Sequence, residues 1–259
     1  MVPRIELIPI RVEIDVCAGE DLCELIMRTI EGIGECIKDG DILVIAHKIV
    51  SKSENKFVNL KNIEPSEESK KLAKISYKDP RLIELIRRES NAIVRHSGGI
   101  IIVETKLGFI CANAGIDQSN VSVERDFALL LPENPDKSAA LLRSYIRNKC
   151  GKEIAVIISD TFGRPFREGQ TNVAIGLAGI EPIESYIGKS DIFGKKLKVT
   201  EIAVADEIAS AAELAMGKTS RIPAVILRGY SFTKSNTSSA LSLIRNKKMD
   251  LFRDWEEKS

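Results

Sequence analysis

The amino-acid sequence predicts an α+β fold. Apolar runs typical of buried strands, such as Ile42–Ala46 and Ile154–Ile158, occur among segments with apolar residues at helical spacing. The two kinds of segment do not alternate strictly, as they would in a doubly wound sheet. With 259 residues and a hydrophobic fraction of 44%, the chain can form one large or two modest domains. We therefore expect mixed sheets with flanking helices.

Capping and turn residues place the remaining elements. A first strand is predicted over Val2–Ile10 and a helix over Asp21–Ile37, and further helices begin at Ser66 and at Asp79–Pro80. Later elements are a hairpin of Ile100–Glu104 with Phe109–Ala112, a helix from Pro135 to about Lys149 that Gly151 ends, a helix from Thr200 to Met216 that Gly217 ends, a strand over Pro223–Gly229 and a short helix over Ser238–Lys247.

Composition excludes several classes of function. The 38 basic and 37 acidic residues nearly cancel, which argues against nucleic-acid binding through a general electrostatic field. No run approaches the roughly 18 apolar residues of a membrane span, and the N-terminus lacks the pattern of a signal peptide. The five cysteines form no Cys-x-x-Cys pair, so neither a zinc site nor a disulfide framework is expected. We predict a cytoplasmic protein with small-molecule substrates.

The most informative segment runs from Ile157 to Asn172. A buried strand is followed there by Asp160, Thr161, Arg164 and Arg167, none of which would build a core. Asp160 and Thr161 offer hard oxygen donors, and the arginines offer forked cationic donors for phosphate or carboxylate. The alternative is an ordinary surface turn. A binding loop is favoured because binding residues concentrate on loops held at strand ends.

Two other polar clusters are weaker on their own. His47-Lys48 and Ser51-Lys52 follow the strand Ile42–Ala46 and could meet phosphate, although a solvated strand end is the favoured interpretation. The segment Asn113–Asn120 could be a plain loop, or it could hold Mg²⁺ through Asp117. If Asp117 and Asp160 converge, they and Thr161 form an all-oxygen site for Mg²⁺ or Mn²⁺.

Two further segments carry weaker signals. Met216–Thr219 looks like the end of a P-loop, but Ala212 stands where that motif requires glycine, and Gly217 is better explained as a helix stop. Asp206 and Glu207, on an alanine-rich helix, are interpreted as a solvated edge.

Several of these segments in order resemble the coenzyme F420-0:L-glutamate ligase family. The likeness extends from about Ile5 to Gly229. It rests on Gly40-Asp41, Val50–Lys52, Asn113–Asp117 with Ser119-Asn120, Ser159–Thr161 with Gly163-Arg164, Ala174–Gly176, Val204–Ala209 and Ile222–Val225.

The resemblance implies a GTP-dependent amide synthetase. Such an enzyme adds L-glutamate to the lactyl carboxylate of a deazaflavin coenzyme precursor, and then adds a second glutamate through a γ-linkage. The family uses Mg²⁺ or Mn²⁺ and often K⁺, and it forms homodimers of a two-domain fold that is neither P-loop nor ATP-grasp. By analogy, residues 1–65 with 185–259 would bind nucleotide, and residues 66–184 would carry the metal loops.

The resemblance also implies roles for individual residues. Asp117, Asp160 and Thr161 would bind the metal. From their residue type rather than from the resemblance, we expect Arg164 and Arg167 to hold acidic substrates beside catalytic Asp160. The predicted GTP contacts are Glu13, Ile14, Asp15, Val16, His47, Lys48, Lys52, Asn120, Met216, Gly217 and Lys218. Some relatives carry an acidic residue at the position of Lys218, so here either a second ion is lost or the lysine replaces its charge.

Other functions remain open at the level of sequence. They are a γ-glutamyl ligase acting on another acidic cofactor, a non-catalytic nucleotide- or metal-binding module, and a metal-dependent phosphohydrolase. The dependence of phosphate release on acceptor and glutamate separates these hypotheses.

Overall fold

The computed structural model describes residues 4–13, 15–118 and 126–250, and these form a mixed α+β fold. A five-stranded sheet carries most of the main core. Its strands are β1 (Glu6–Ile10), β2 (Ile42–Ala46), β8 (Ala155–Arg164), β9 (Arg167–Ala178) and β12 (Ala224–Arg228), in the spatial order β1-β12-β2-β8-β9. Only β2 and β8 run parallel, and the other neighbours are antiparallel.

Three smaller sheets lie outside this core. They pair β3 (Phe57–Asn59) with β7 (Phe127–Leu129), β10 (Glu184–Ser185) with β11 (Glu201–Ile202), and β4 (Ser90–Ser97) with β5 (Ile100–Thr105) and β6 (Ile110–Ala112). The predicted hairpin is confirmed as β5 and β6, whereas β4 was not predicted.

The helices are α1 (Leu22–Gly32), α2 (His47–Ser53), α3 (Glu67–Ser76), α4 (Pro80–Arg88), α5 (Pro135–Cys150) and α6 (Val204–Met216). The capping predictions at Ser66, Asp79, Gly151 and Gly217 are confirmed. None of the helices in the described ranges has the length and apolar character needed to cross a membrane.

Several boundaries differ from the prediction. Thr200 does not cap α6, because the short strand β11 intervenes and Ala203 precedes the helix without a side-chain cap. The helix predicted over Ser238–Lys247 is replaced by 3₁₀ turns at Ala240–Leu243 and Lys247–Met249.

The largest correction concerns the segment after Ile158. It is a continuous β-hairpin, since β8 runs on to Arg164 and β9 begins at Arg167. The five-stranded sheet thus joins strands from both predicted sequence segments, 1–65 with 185–259 and 66–184. The division into two domains stays a prediction.

Candidate active site

The site lies where the two parallel strands end. Ala46 on β2 pairs with Ser159 on β8, so the next residues, His47 and Asp160, lie side by side at the same sheet edge. Helix α2 begins directly at His47. The predicted solvated strand end is therefore wrong, because His47 and Lys52 are both buried in this short helix.

The first turn of α2 contacts both predicted metal-binding carboxylates. His47 Nε2 lies 3.2 Å from Asp160 Oδ1, and Lys48 Nζ lies 2.6 Å from Asp117 Oδ2. Consecutive residues thus reach two carboxylates that are 43 positions apart in the chain. The side chains of Asp160 and Asp117 remain 13% and 22% exposed. A ligand can therefore reach both carboxylates from solvent.

The turn before Asp117 is unusual in its backbone. Asn113, Ala114 and Gly115 have φ values of 53°, 59° and 67°, which is the left-handed region that non-glycine residues seldom adopt. Asn113 Oδ1 is a buried acceptor without a hydrogen-bond partner among the described residues. Such strain and such an unpaired group are typical of functional sites.

Cys111 shows that this turn lies against Asp160. Burial raises the pKa of the Cys111 thiol to about 12, and the nearby negative charge of Asp160 adds to the effect. Cys111 is consequently a poor nucleophile, and we assign it no chemical role.

Thr161 belongs to a closed ring of polar contacts. Its hydroxyl donates to Asn172 Oδ1 at 2.7 Å and accepts from Lys218 Nζ at 2.6 Å. Glu213 closes the ring, because Oε1 pairs with Lys218 at 2.8 Å and Oε2 accepts from Asn172 Nδ2 at 2.9 Å. Sequence reasoning gave no role to Asn172, although this residue ends the segment Ile157–Asn172, and it missed Glu213, which no local motif marks.

The predicted nucleotide segments also meet. Lys52 Nζ contacts Asp15 Oδ1 at 2.6 Å, and Arg221 donates to the Glu13 carbonyl at 3.2 Å. Val12 N–H donates to the Arg221 carbonyl, so the N-terminal loop lies beside the segment that follows α6. Val16 is buried in the main core, and Met216 and Gly217 end α6. Ile14 and Asn120 lie outside the described residues.

Arg164 and Arg167 are not brought to the carboxylates. They face each other at the exposed tip of the β8–β9 hairpin, where Arg164 donates to the Glu168 carbonyl at 2.8 Å. Arg164 lies four residue steps along the strand from Asp160, a span of roughly 13 Å. The arginines therefore lie at the far end of the hairpin from Asp160.

The donor set fits a hard divalent cation. Asp117, Asp160, Thr161 and Asn113 each carry a hard oxygen acceptor, and Asp160 Oδ2 has no protein donor within the described part of the chain. In those residues no three His, Cys, Asp or Glu side chains cluster, so two carboxylates would need neutral oxygens or substrate to complete a coordination shell. Lys48 supplies a positive charge beside Asp117, and His47 contacts Asp160.

Two cavities lie elsewhere. Cavities of about 440 and 260 Å³ both adjoin Tyr230, and Asp41 and Arg228 are among the residues that line the larger one. Asp41 precedes β2, so the larger cavity is at the opposite end of that strand from His47. The candidate site lies away from both cavities, and its Lys218 side chain is 59% exposed.

Comparisons with known proteins identify relatives of this chain. The sequence profile of a family described as F420-0:Gamma-glutamyl ligase matches residues 10–229. A coenzyme F420:L-glutamate ligase of Methanothermobacter thermautotrophicus is 45% identical over 238 residues, covering 91% of this chain and 94% of that protein. Proteins of the same name from Methanopyrus kandleri and Methanocaldococcus jannaschii are 42% and 44% identical, covering 97% and 84% of this chain and 98% and 86% of their own lengths.

Proposed function

This chain belongs to the F420-0:gamma-glutamyl ligase family and is an enzyme of the ligase class, and we propose that it joins L-glutamate to coenzyme F420-0 at the expense of GTP. The first amide forms on the lactyl carboxylate, and the amine of a second glutamate is then joined to the γ-carboxylate of the first. The observation that carries the proposal is the gathering of Asp117 and Asp160 by His47 and Lys48.

Amide formation needs an activated carboxylate. A lactyl carboxylate oxygen attacks the γ-phosphorus of GTP, the bond from phosphorus to the GDP oxygen breaks, and an acyl phosphate forms. The glutamate amine then attacks the acyl carbon, inorganic phosphate leaves, and the amine releases one proton. No protein nucleophile is required, since both substrates supply the reacting atoms.

The residues of the site have separate roles in this scheme. Asp117, Asp160 and Thr161 would hold Mg²⁺ or Mn²⁺, with Asn113 Oδ1 as a further acceptor. A bound cation neutralises charge on the phosphoryl group. Lys48, Lys52 and Lys218 supply positive charge for the phosphates.

The tip of the β8–β9 hairpin offers substrate contacts away from the carboxylates. Arg164 and Arg167 can pair with substrate carboxylates at the exposed tip, which places the acidic end of a long substrate away from the phosphates. K⁺ use, a homodimeric state and a cytoplasmic location are part of the same proposal.

The test uses purified protein with Asp160→Asn, and Asp191→Asn as matched control. Asp191 accepts hydrogen bonds from the N–H groups of Phe193 and Lys195 in a surface turn. Asparagine at this position keeps an acceptor oxygen for both donors. With GTP, Mn²⁺, F420-0 and glutamate, we expect Asp160→Asn to lower phosphate release by at least about 100-fold, the scale of losing one charge-stabilising group. The control should retain wild-type activity.

The same assay distinguishes the alternatives. Phosphate release without glutamate would indicate a phosphohydrolase, and turnover only with another acidic acceptor would indicate a different γ-glutamyl ligase. Binding of GTP without turnover would indicate a regulatory module. Replacing GTP by ATP tests the nucleotide preference.

A further inference from the structure

The ring of Thr161, Asn172, Glu213 and Lys218 has a fixed hydrogen-bond direction. Glu213 Oε1 and Lys218 Nζ form an ion pair at 2.8 Å, in which the carboxylate can only accept hydrogen bonds and the ammonium can only donate them. These two end groups decide the orientation of the two groups between them.

Asn172 is oriented by Glu213. Because the carboxylate needs a donor, the amide nitrogen of Asn172 faces Glu213 Oε2, and its amide oxygen must face Thr161. Asn172 is 3% exposed, so its amide cannot exchange these partners for bulk water.

Thr161 is oriented in turn. Its single hydroxyl proton points to Asn172 Oδ1, and one lone pair accepts from Lys218. The remaining lone pair is an acceptor, which is the form of a hydroxyl that can bind a cation. The reverse orientation would direct the proton away from Asn172 and place a donor on the site.

We infer that Glu213 is a positioning residue, which holds Thr161 as a cation-accepting hydroxyl through the buried amide of Asn172. This rests on the proposed function, since it takes Thr161 as a metal ligand. Glu213 itself need not touch cation or substrate, because Lys218 and Asn172 already contact both of its carboxylate oxygens.

The variant Glu213→Gln removes the fixed direction of the hydrogen bonds in the ring but keeps the size and shape of the side chain. Glutamine has one acceptor oxygen and one donor nitrogen, so it can satisfy Lys218 while donating to Asn172. The amide of Asn172 then turns over, and Thr161 has to accept from it. Thr161 consequently becomes a donor toward the site.

The experiment measures Mn²⁺ binding by electron paramagnetic resonance, without nucleotide or turnover. We expect Glu213→Gln to weaken Mn²⁺ affinity about tenfold, as loss of a group supporting a ligand does in metal sites. Thr161→Val should weaken it at least as much, and the double variant should be no weaker than Thr161→Val alone, because both changes act through one hydroxyl.

Controls separate positioning from folding and charge. Glu207→Gln removes an exposed carboxylate from the same helix and should leave Mn²⁺ affinity unchanged. Glu213→Asp keeps an acceptor-only group and should recover part of the affinity lost in Glu213→Gln. The loss in Glu213→Gln should be smaller in a Lys218→Gln background, because without the ammonium the new side chain can keep its oxygen toward Asn172, whereas a pure charge effect would persist there.

Each contrary result has a defined meaning. If Thr161→Val weakens Mn²⁺ binding but Glu213→Gln does not, the positioning role is wrong and the ligand assignment stands. Additive losses in the double variant would also overturn the positioning role. If Thr161→Val leaves binding unchanged, Thr161 is not a ligand and both assignments fail, whatever the ligase assay gives.

Discussion

At the residue scale, charged groups in this site are held in pairs. Lys52 has a side chain only 7% exposed and contacts Asp15, which is 80% exposed. A buried ammonium is costly unless it is paired, so Asp15 or a bound anion has to accompany it. This pairing explains how a lysine that looks like a solvated residue in the sequence can lie inside the protein.

Asp206 gives a second correction at this scale. The solvated edge expected for Asp206 is wrong, because its carboxylate is partly buried and accepts from the Ala174 N–H at 2.9 Å. Burial raises the pKa of Asp206 above the ordinary value, and the Ala174 hydrogen bond opposes the change. Its neighbour Glu207 is exposed as predicted. Asp206 thus ties α6 to the sheet and is not free for chemistry.

Asn113 allows a test that separates function from stability. Replacing it by glycine removes an unpaired buried acceptor and places a residue that adopts positive φ freely. We expect Asn113→Gly to raise the free energy of unfolding by about 1 kcal/mol while weakening Mn²⁺ binding. Urea unfolding and electron paramagnetic resonance measure the two effects.

The matched control is Asn55→Gly. Asn55 has a φ of 55° but is exposed and lies at the end of α2, so only strain is relieved there. It should leave Mn²⁺ binding unchanged. A loss of stability in Asn113→Gly with intact Mn²⁺ binding would contradict a ligand role for Asn113.

At the scale of elements, the β8–β9 hairpin decides the shape of the site. Gly163, Pro165 and Gly169 resemble a loop in sequence, yet the segment keeps antiparallel pairing out to Arg164 and Arg167. Pairing partners are supplied by the returning strand, which local propensity does not include. The hairpin therefore carries Asp160 and Thr161 on a defined strand, with arginines only at its tip.

Close packing of β9 on α5 gives the next prediction. A Cβ on Gly176 would lie 2.5 Å from the carbonyl carbon of Pro135 and 2.7 Å from its oxygen, so backbone would have to move. Asp136 also accepts from Leu177 N–H at 2.8 Å in this contact. We expect Gly176→Ala to lower the free energy of unfolding by about 2 kcal/mol.

Chemical denaturation measures the effect of Gly176→Ala. Gly163→Ala is the control, because a Cβ there meets nothing within 4 Å and the backbone needs no positive φ. Equal stability of Gly176→Ala and wild type would show that α5 can shift away from the sheet without cost.

At the scale of the whole molecule, separate cores support the site. The main core covers both faces of the five-stranded sheet, and a second core lies around Ile83, Ile86 and Val103. The segment from β6 to Asp117 connects them, since β6 pairs with β5 while Cys111 lies near Asp160. Asp117 and Asp160 thus lie on chain segments that pack into different cores.

Glu84 anchors the second core and makes its stability depend on pH. Its carboxylate accepts from Ser66 N–H and hydroxyl, from the Ser69 hydroxyl and from Arg88, which together lower the pKa of Glu84 to about 2. A lowered folded-state pKa stabilises the protein above the unfolded-state value near 4.5, and this stabilisation is lost as pH falls toward 2.

We expect Glu84→Gln to cost about 3 kcal/mol at pH 7, by the usual conversion of a pKa difference. The difference from wild type should shrink as pH falls from 4.5 to 2, which urea unfolding at several pH values measures. Glu67→Gln, which removes an exposed carboxylate on α3, should change little. A difference between Glu84→Gln and wild type that did not vary with pH would contradict the ionised role of Glu84.

The sequence alone determined what is local. Continuous apolar runs marked β2 and the start of β8, caps marked the ends of α3, α4, α5 and α6, and oxygen-bearing residues at strand ends marked Asp117, Asp160 and Thr161 as candidates. Each of these signals depends on neighbours within a few positions, so a single chain displays it directly.

Only the tertiary structure decided which of these groups meet. It brought Asp117 and Asp160 into contact with one turn of α2, and it linked Thr161 to Asn172, Glu213 and Lys218 across 11 to 57 positions of sequence. It also separated the hairpin arginines from the carboxylates. The physical reason is that strand register and helix packing bring distant segments together. The residues of one segment do not by themselves show which distant residues they will contact.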